Sequence, residues 1–167
     1  MTAVPLDVIV HLAGKDSGEA KQRTLGEQVA FFHLVLVVLD PFTYESSWLL
    51  ETGGRILESF SGADCRVGFL LTSDEAGARE FVGPWADSLL VFFDEDRSFV
   101  KALGLEELPA FVHIEHDGTI AGKAEGWDPE TWRPIAEHLA ELMSWNRPTI
   151  PKTGDPVPFA GTPAIPA

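Results

Sequence analysis

Apolar residues fall into short blocks along the chain, and the longest unbroken one runs from Leu34 to Leu39. A continuous run of β-branched residues and leucine suits a strand buried on both faces, the situation of a parallel sheet. Shorter blocks predict further strands over Leu6–Leu12, Arg66–Leu71, Leu89–Phe93 and Ala110–Glu115, with a return strand over Ile120–Glu125. His116-Asp117-Gly118-Thr119 between the last two is an Asp-Gly hairpin signal.

Between these blocks the period lengthens to that of a helix. Thr24-Leu25-Gly26-Glu27 fits a capping box and predicts a short helix over 25–32, with Leu25, Val29 and Phe32 on one face. Ser46 or Ser47 is read as the N-cap of a second helix, along which Trp48, Leu49, Ile56, Leu57 and Phe60 recur. Gly53-Gly54 in its middle predicts a kink or a close contact. Thr72 to Glu75 reads as another capping box, opening a helix that Pro84 stops after about Val82. Asp94-Glu95-Asp96 supplies acid to the start of a short helix, where the macrodipole favours it, and Gly104 ends it. Asp128-Pro129 starts the last helix, with Trp132, Ile135, Leu139 and Leu142 on its inner face. Trp127 and Trp145 flank that helix and are expected to be half exposed. The segment 13–18 reads as a loop.

Strands alternating with helices, then a hairpin and a helix, imply a mixed sheet covered by helices on both faces. Residues 1–145 are expected to form this domain. From Asn146 the chain changes character, with prolines at 148, 151, 156, 158, 163 and 166. Residues 146–167 are therefore expected to be an extended or disordered proline-rich tail, pinned at Phe159.

Composition narrows the function. The net charge of −14 argues against nucleic acid and anionic membrane surfaces as partners, since phosphate contacts need a basic patch. No apolar run approaches the roughly 18 residues of a membrane helix, and the N-terminus has no basic region followed by a long apolar one. A cytoplasmic location is the simplest expectation. The lone cysteine, Cys65, excludes an intramolecular disulfide and zinc-finger spacing. Its place at the start of a strand reads as that of a small buried hydrophobe. His113, Glu115, His116 and Asp117 are four metal-ligating types in five residues. On a strand, however, His116 points away from His113 and Glu115, so no metal site is assigned. A triad built on Ser46 would need a histidine within reach, and only His113 is a candidate, because His33 stands at the far end of the buried strand. No catalytic residue and no cofactor are assigned.

Three strings resemble the thioredoxin-fold superfamily, closest to its peroxiredoxins and thioredoxin-like reductases, across residues 30 to 145. They are the buried strand running into Asp40-Pro41-Phe42-Thr43-Tyr44-Glu45-Ser46-Ser47-Trp48, the segment Val67 to Glu75, and Gly104 to Ile114 with Leu108-Pro109 inside it. The resemblance implies a thioredoxin-like mixed sheet and a cis-proline at Pro109. It also marks a departure. Where a Cys-x-x-Cys motif would stand the chain has Glu45-Ser46-Ser47-Trp48, and where a peroxide-reactive cysteine would follow Thr43 it has Ser46. A serine hydroxyl is too weakly acidic to replace a thiolate.

The leading expectation is thus a redox-inactive adaptor that binds a protein or an extended peptide. It would use Tyr44, Glu45, Ser46, Trp48, Leu108 and Pro109, the last two offering free backbone for strand addition. The alternative is an enzyme, with residual peroxidase or thiol-dependent activity through Cys65 or a non-redox activity at Glu45 and Ser46. A homodimer with the loop in its interface is a third reading.

Overall fold

The computed structural model describes residues 2–15 and 18–166; Asp16 and Ser17, in the expected loop 13–18, lie outside the described residues. The six residues from Leu34 to Leu39 are all fully buried, and they do occupy the middle of a sheet. This is strand β3 (His33–Leu39). It is flanked by β4 (Cys65–Leu71), which runs parallel to it, and by β7 (Ala110–Ile114), which runs antiparallel. Beyond β4 lies β5 (Leu90–Phe93), also parallel, followed by β1 (Ile9–Leu12) and β2 (Lys21–Thr24), both antiparallel to their neighbours. The hairpin partner β8 (Ile120–Glu125) closes the other edge, so the strand order is β2-β1-β5-β4-β3-β7-β8.

The alternation of β3 explains the layering. Val35, Val37 and Leu39 face one apolar cluster, and Leu34, Leu36 and Val38 face the other. The first cluster takes side chains from α2 (Tyr44–Glu58), α3 (Glu75–Val82) and α5 (Pro129–Met143); the second takes them from α1 (Leu25–Val29) and α4 (Ser98–Ala102). Helices on both faces of a mixed sheet, with a hairpin and a helix at the C-terminal side, are the architecture expected.

Several local expectations are corrected. Helix α1 stops at Val29, leaving Phe32 exposed, although the Thr24–Glu27 capping box forms on both sides. The N-cap of α2 is Thr43 rather than Ser46 or Ser47, and that of α3 is Asp74 rather than Thr72. At both places the chain turns earlier or later than the serine and threonine pattern suggests, because the preceding strand fixes where the backbone leaves the sheet. Helix α2 runs unbroken through Gly53 and Gly54, which serve close packing. A Cβ on Gly53 would lie 3.0 Å from Val37, and one on Gly54 would lie 2.3 Å from the Trp85 ring. Trp127 is fully buried rather than half exposed. It stands edge-on against Trp132, 5.1 Å between centroids, and its indole N–H donates to the Pro156 carbonyl. Leu142, expected on the inner face of α5, is exposed.

The segment after α5 folds back over the domain. Arg55 of α2 donates to the Thr149 carbonyl and pairs with Asp155 at 2.7 Å, while Thr52 donates to the same carboxylate at 3.0 Å. Phe159 and Trp127 exchange two backbone hydrogen bonds of 2.9 Å. Beyond them β9 (Thr162–Pro163) pairs antiparallel with β6 (Glu107–Leu108) in a separate two-stranded ladder. Extended backbone and a contact at Phe159 agree with the sequence expectation; the strand pairing was not expected from six prolines. Pro163 fits because a proline without an N–H is tolerated on an edge strand. Among the described residues, no helix is long and apolar enough to cross a membrane.

Candidate functional site

The C-terminal ends of the parallel strands converge on the loop between β3 and α2, the place where open α/β sheets keep their ligands. Asp40, the residue after β3, is buried and organises the turn. Its backbone N–H donates to Ser46 Oγ at 2.8 Å, its Oδ1 accepts from the Phe42 N–H at 3.0 Å, and its Oδ2 pairs with Arg97 at 3.1 Å. Thr43 Oγ1 donates to the Asp40 carbonyl and accepts from the Ser46 N–H, which starts α2. Ser46, at the position where the resemblance would put a thiol, has no exposed surface and holds the turn together. Its hydroxyl is a structural acceptor.

Exposed aromatic rings surround this buried serine. Phe42 is 77% exposed, Tyr44 79% and Trp48 56%. Tyr44 and Trp48 stand four residues apart on α2 and so share a face. Trp48 meets the Phe159 ring edge-on at 5.5 Å. A cleft beside Phe42 is lined by Pro41, Thr72, Ser73, Asp74, Glu95 and Arg97, so it presents charges of both signs. Asp94, at the end of β5, is buried, and burial raises its pKa against the opposing pull of the Val100 and Phe99 N–H groups that it caps.

The structure brings together four of the six expected residues: Tyr44, Glu45, Ser46 and Trp48 occupy the first turns of α2. Leu108 is fully buried, Pro109 is buried, and the bond between them is cis. The backbone beside Pro109 is not free. The Pro109 carbonyl accepts from the Gly126 N–H at 2.8 Å, and Leu108 is paired with Thr162, whose hydroxyl also donates to the Leu108 carbonyl. Arg97, which no sequence motif marks, links the site to the tail by donating to the Ala164 carbonyl at 2.6 Å. Its backbone is left-handed at φ 60°, a conformation that costs a residue with a Cβ and that no pattern in the sequence signals.

The other candidates lie at the opposite end of the sheet. Cys65 is the first residue of β4, level with His33, about 20 Å from the β3–α2 loop at ~3.3 Å per residue. Burial, aided by Asp64, pushes its thiol up to about 11, and the S–H points to the Phe60 carbonyl at 3.8 Å. His113 sits opposite Val35 on β7, likewise far from Ser46. It belongs instead to a histidine cluster that sequence spacing did not reveal. His33 Nδ1 lies 2.7 Å from His113 Nε2, the His33 and His116 rings are 4.7 Å apart, and His138 of α5 is 6.2 Å from His113. Burial lowers the pKa of His33, and that of His113 to about 4, with the neighbouring imidazoles adding to both effects. Among the described residues, no three or more His, Cys, Asp or Glu side chains are grouped so as to hold a metal ion.

No protein-family description and no curated protein sequence matches the chain. Solved structures do. A hypothetical protein of Sinorhizobium meliloti 1021 superposes with a TM-score of 0.65 at 16% identity, over 98% of this chain and 94% of that one. Peroxiredoxin Q of Xanthomonas campestris, in a mutant form with a cysteine replaced by serine, gives 0.62 at 15% identity, over 84% and 94%. The pneumococcal exposed lipoprotein thioredoxin Etrx1 of Streptococcus pneumoniae gives 0.58 at 17% identity, over 81% and 100%. The chain therefore has the fold of the thioredoxin superfamily, with thioredoxin-like and peroxiredoxin-like neighbours, and it lacks the active-site cysteines, its one cysteine standing at the other end of the sheet.

Proposed function

We propose that the protein is a redox-inactive binding module that holds a protein or peptide partner at the aromatic face around the start of α2. The observation that carries this is the contrast within one loop. Ser46 is sealed and used to hold the turn, whereas Phe42, Tyr44 and Trp48 are held in solvent at a cost that a merely structural loop has no reason to bear. Aromatic side chains are the commonest anchors of protein interfaces, since they bury a large area with few rotatable bonds. Thiol chemistry through Cys65 is disfavoured by a pKa of about 11 and by its distance from the face. A cytoplasmic setting belongs to this reading, because a lone cysteine supplies none of the disulfides that oxidising compartments favour.

The test is affinity capture from native lysate with quantitative mass spectrometry, using the native chain and a Tyr44→Ser/Trp48→Ala variant. Both side chains are more than half exposed, so the variant is expected to fold. A partner retained by the native chain and lost by the variant supports the reading. Equal capture by both removes this face as the interface.

A further inference from the structure

The strand edge next to Pro109 is occupied, and the occupant is the chain itself. Two clasps hold the segment after α5. The inner one, over 149–156, is made by side chains: Arg55 and Thr52 on Asp155, Arg133 on the Ile150 carbonyl, and Trp127 on the Pro156 carbonyl. The outer one, over 159–164, is of a different kind, because its contacts are mostly those any extended peptide makes. Phe159 exchanges two backbone hydrogen bonds with Trp127, β9 pairs with β6, and the Ala164 N–H donates to the Glu106 carbonyl at 2.8 Å. This is strand addition, performed in cis.

The groove makes few demands on side chains, and they are specific. A Cβ on Gly161 would come 2.8 Å from the Leu108 carbonyl oxygen and 2.9 Å from Glu107 Cβ, so only glycine fits. The groove answers with Gly126, whose φ of 72° disfavours a side chain and on which a Cβ would come within 3.1 Å of the Phe159 carbonyl oxygen and the Gly161 nitrogen. Ala164 is fully buried among apolar residues, which calls for a small residue there. Phe159 lies edge-on to Trp48, one ring of the aromatic face. The Gly161 N–H is met by Glu107 Oε1 and the Ala164 carbonyl by Arg97.

We propose that the β6 edge and Gly126–Trp127 form a peptide groove whose resident ligand is the chain's own segment 159–164. Its outside ligand is then an extended peptide with the same aromatic-x-Gly-Thr-Pro-small pattern, which must displace that segment. This rests on the reading of the chain as a peptide-binding module and adds its ligand class and its control. A tethered ligand acts at an effective concentration of order millimolar. An outside peptide whose intrinsic dissociation constant is about 10 μM, like that of the resident segment, is then weakened on the order of 100-fold, by the fraction of molecules whose groove is open.

The test uses the full chain and a fluorescent peptide of residues 157–166, titrated by anisotropy. Two variants release the outer clasp by different routes: Gly161→Val by collision with Leu108, and Phe159→Ala by loss of the contact with Trp48. Both are expected to stay folded on the inner clasp, as judged by circular dichroism. They should bind the peptide on the order of 100-fold more tightly than the native chain, and a peptide carrying Gly161→Val should not compete. Folded variants that do not bind overturn the proposal, as does native affinity equal to theirs or competition by the valine peptide. Loss of the folded state in both variants also overturns it, since the segment would then be core rather than a detachable ligand. Failure here leaves the capture result at Tyr44 and Trp48 standing. Equal capture by the native chain and the Tyr44→Ser/Trp48→Ala variant, with peptide binding intact, removes the aromatic face and keeps the groove.

Discussion

Lowering the pH from 7 to 5 is expected to destabilise the protein through one imidazole more than any other. His113 has no solvent exposure, its Nδ1 has no partner, and its Nε2 faces His33, so a proton on it would be stranded in an apolar setting beside further imidazoles. Burial, followed by the His33 and His138 charges, holds its pKa at about 4, against an ordinary 6.5. The unfolded chain therefore takes up a proton near pH 6.5 that the folded chain refuses until about pH 4. Between those values the unfolded state binds more protons, so stability falls as pH falls. The full stability is present above pH 6.5. The loss from this group is about 2 kcal/mol at pH 5 and about 3 kcal/mol below pH 4. His33 works in the same direction, lowered by burial and by His116, with Glu115 and Asp117 opposing. The assay is urea unfolding at pH 7 and pH 5 at constant ionic strength, for the native chain and for His113→Gln, which cannot titrate. Paired carboxylates respond to acid in both proteins and cancel in the comparison. The variant is expected to lose about 2 kcal/mol less than the native chain over that interval. Equal losses in the two proteins would refute the assignment of the proton to His113.

Four further outcomes follow from single contacts. Gly54→Ala should lower stability by about 2 kcal/mol in a thermal melt despite its better helix propensity, because the new methyl would meet the Trp85 ring at 2.3 Å. Arg97→Ala should cost about 3 kcal/mol in urea unfolding, since it leaves the buried Asp40 carboxylate unpaired and the Ala164 carbonyl without its donor. Cys65 should react with an aromatic disulfide reagent at pH 8 about 100-fold more slowly in the native protein than in urea, its thiol being held at about 11. Ser46→Cys should leave peroxide consumption at background, because a side chain with no exposed surface is out of reach even at a helix N-terminus that favours the thiolate; turnover of added peroxide would contradict this.

What was legible in the sequence is what short-range chemistry decides. The apolar run Leu34–Leu39, the Thr24–Glu27 box, the Asp117-Gly118 turn and the Asp128-Pro129 start each satisfy their own local requirement, and each sits where it was read. The misreadings occur where a distant element competes with a local signal. Ser46 is a good cap, but Asp40 claims its hydroxyl, and Thr43 caps the helix one turn earlier. Lys21–Thr24 is wholly polar, so nothing in its pattern betrays an edge strand; β1 alone recruits it. The histidine cluster exists because the antiparallel register of β3 and β7 sets His113 near His33, eighty residues apart. The prolines of the tail predict an extended or disordered segment; in the structure it is extended, and its order is borrowed from Arg55, Trp127 and Leu108.

These same long-range contacts connect the lost thiol position to the groove. Ser46 Oγ holds the Asp40 N–H, Asp40 Oδ2 holds Arg97, and Arg97 holds the Ala164 carbonyl, in an unbroken polar chain from the helix start to the resident segment. A nucleophile needs an open approach and a free electron pair. Here the hydroxyl is spent on the turn, and the nearby cation is shared between a carboxylate and the tail. Each of those bonds is favourable only while its neighbour is in place, since Arg97 without Ala164 regains solvent and Asp40 without Arg97 is a buried bare charge. The aromatic face and the groove meet where Trp48 touches Phe159. In the proposed reading, a partner that presses on Trp48 acts on Phe159, the first residue of the outer clasp, and a peptide entering at Leu108 acts on Thr162. The proposed face and the proposed groove are thus neighbours through the Trp48–Phe159 contact, while the Arg97–Asp40 pair holds the turn independently of the resident segment.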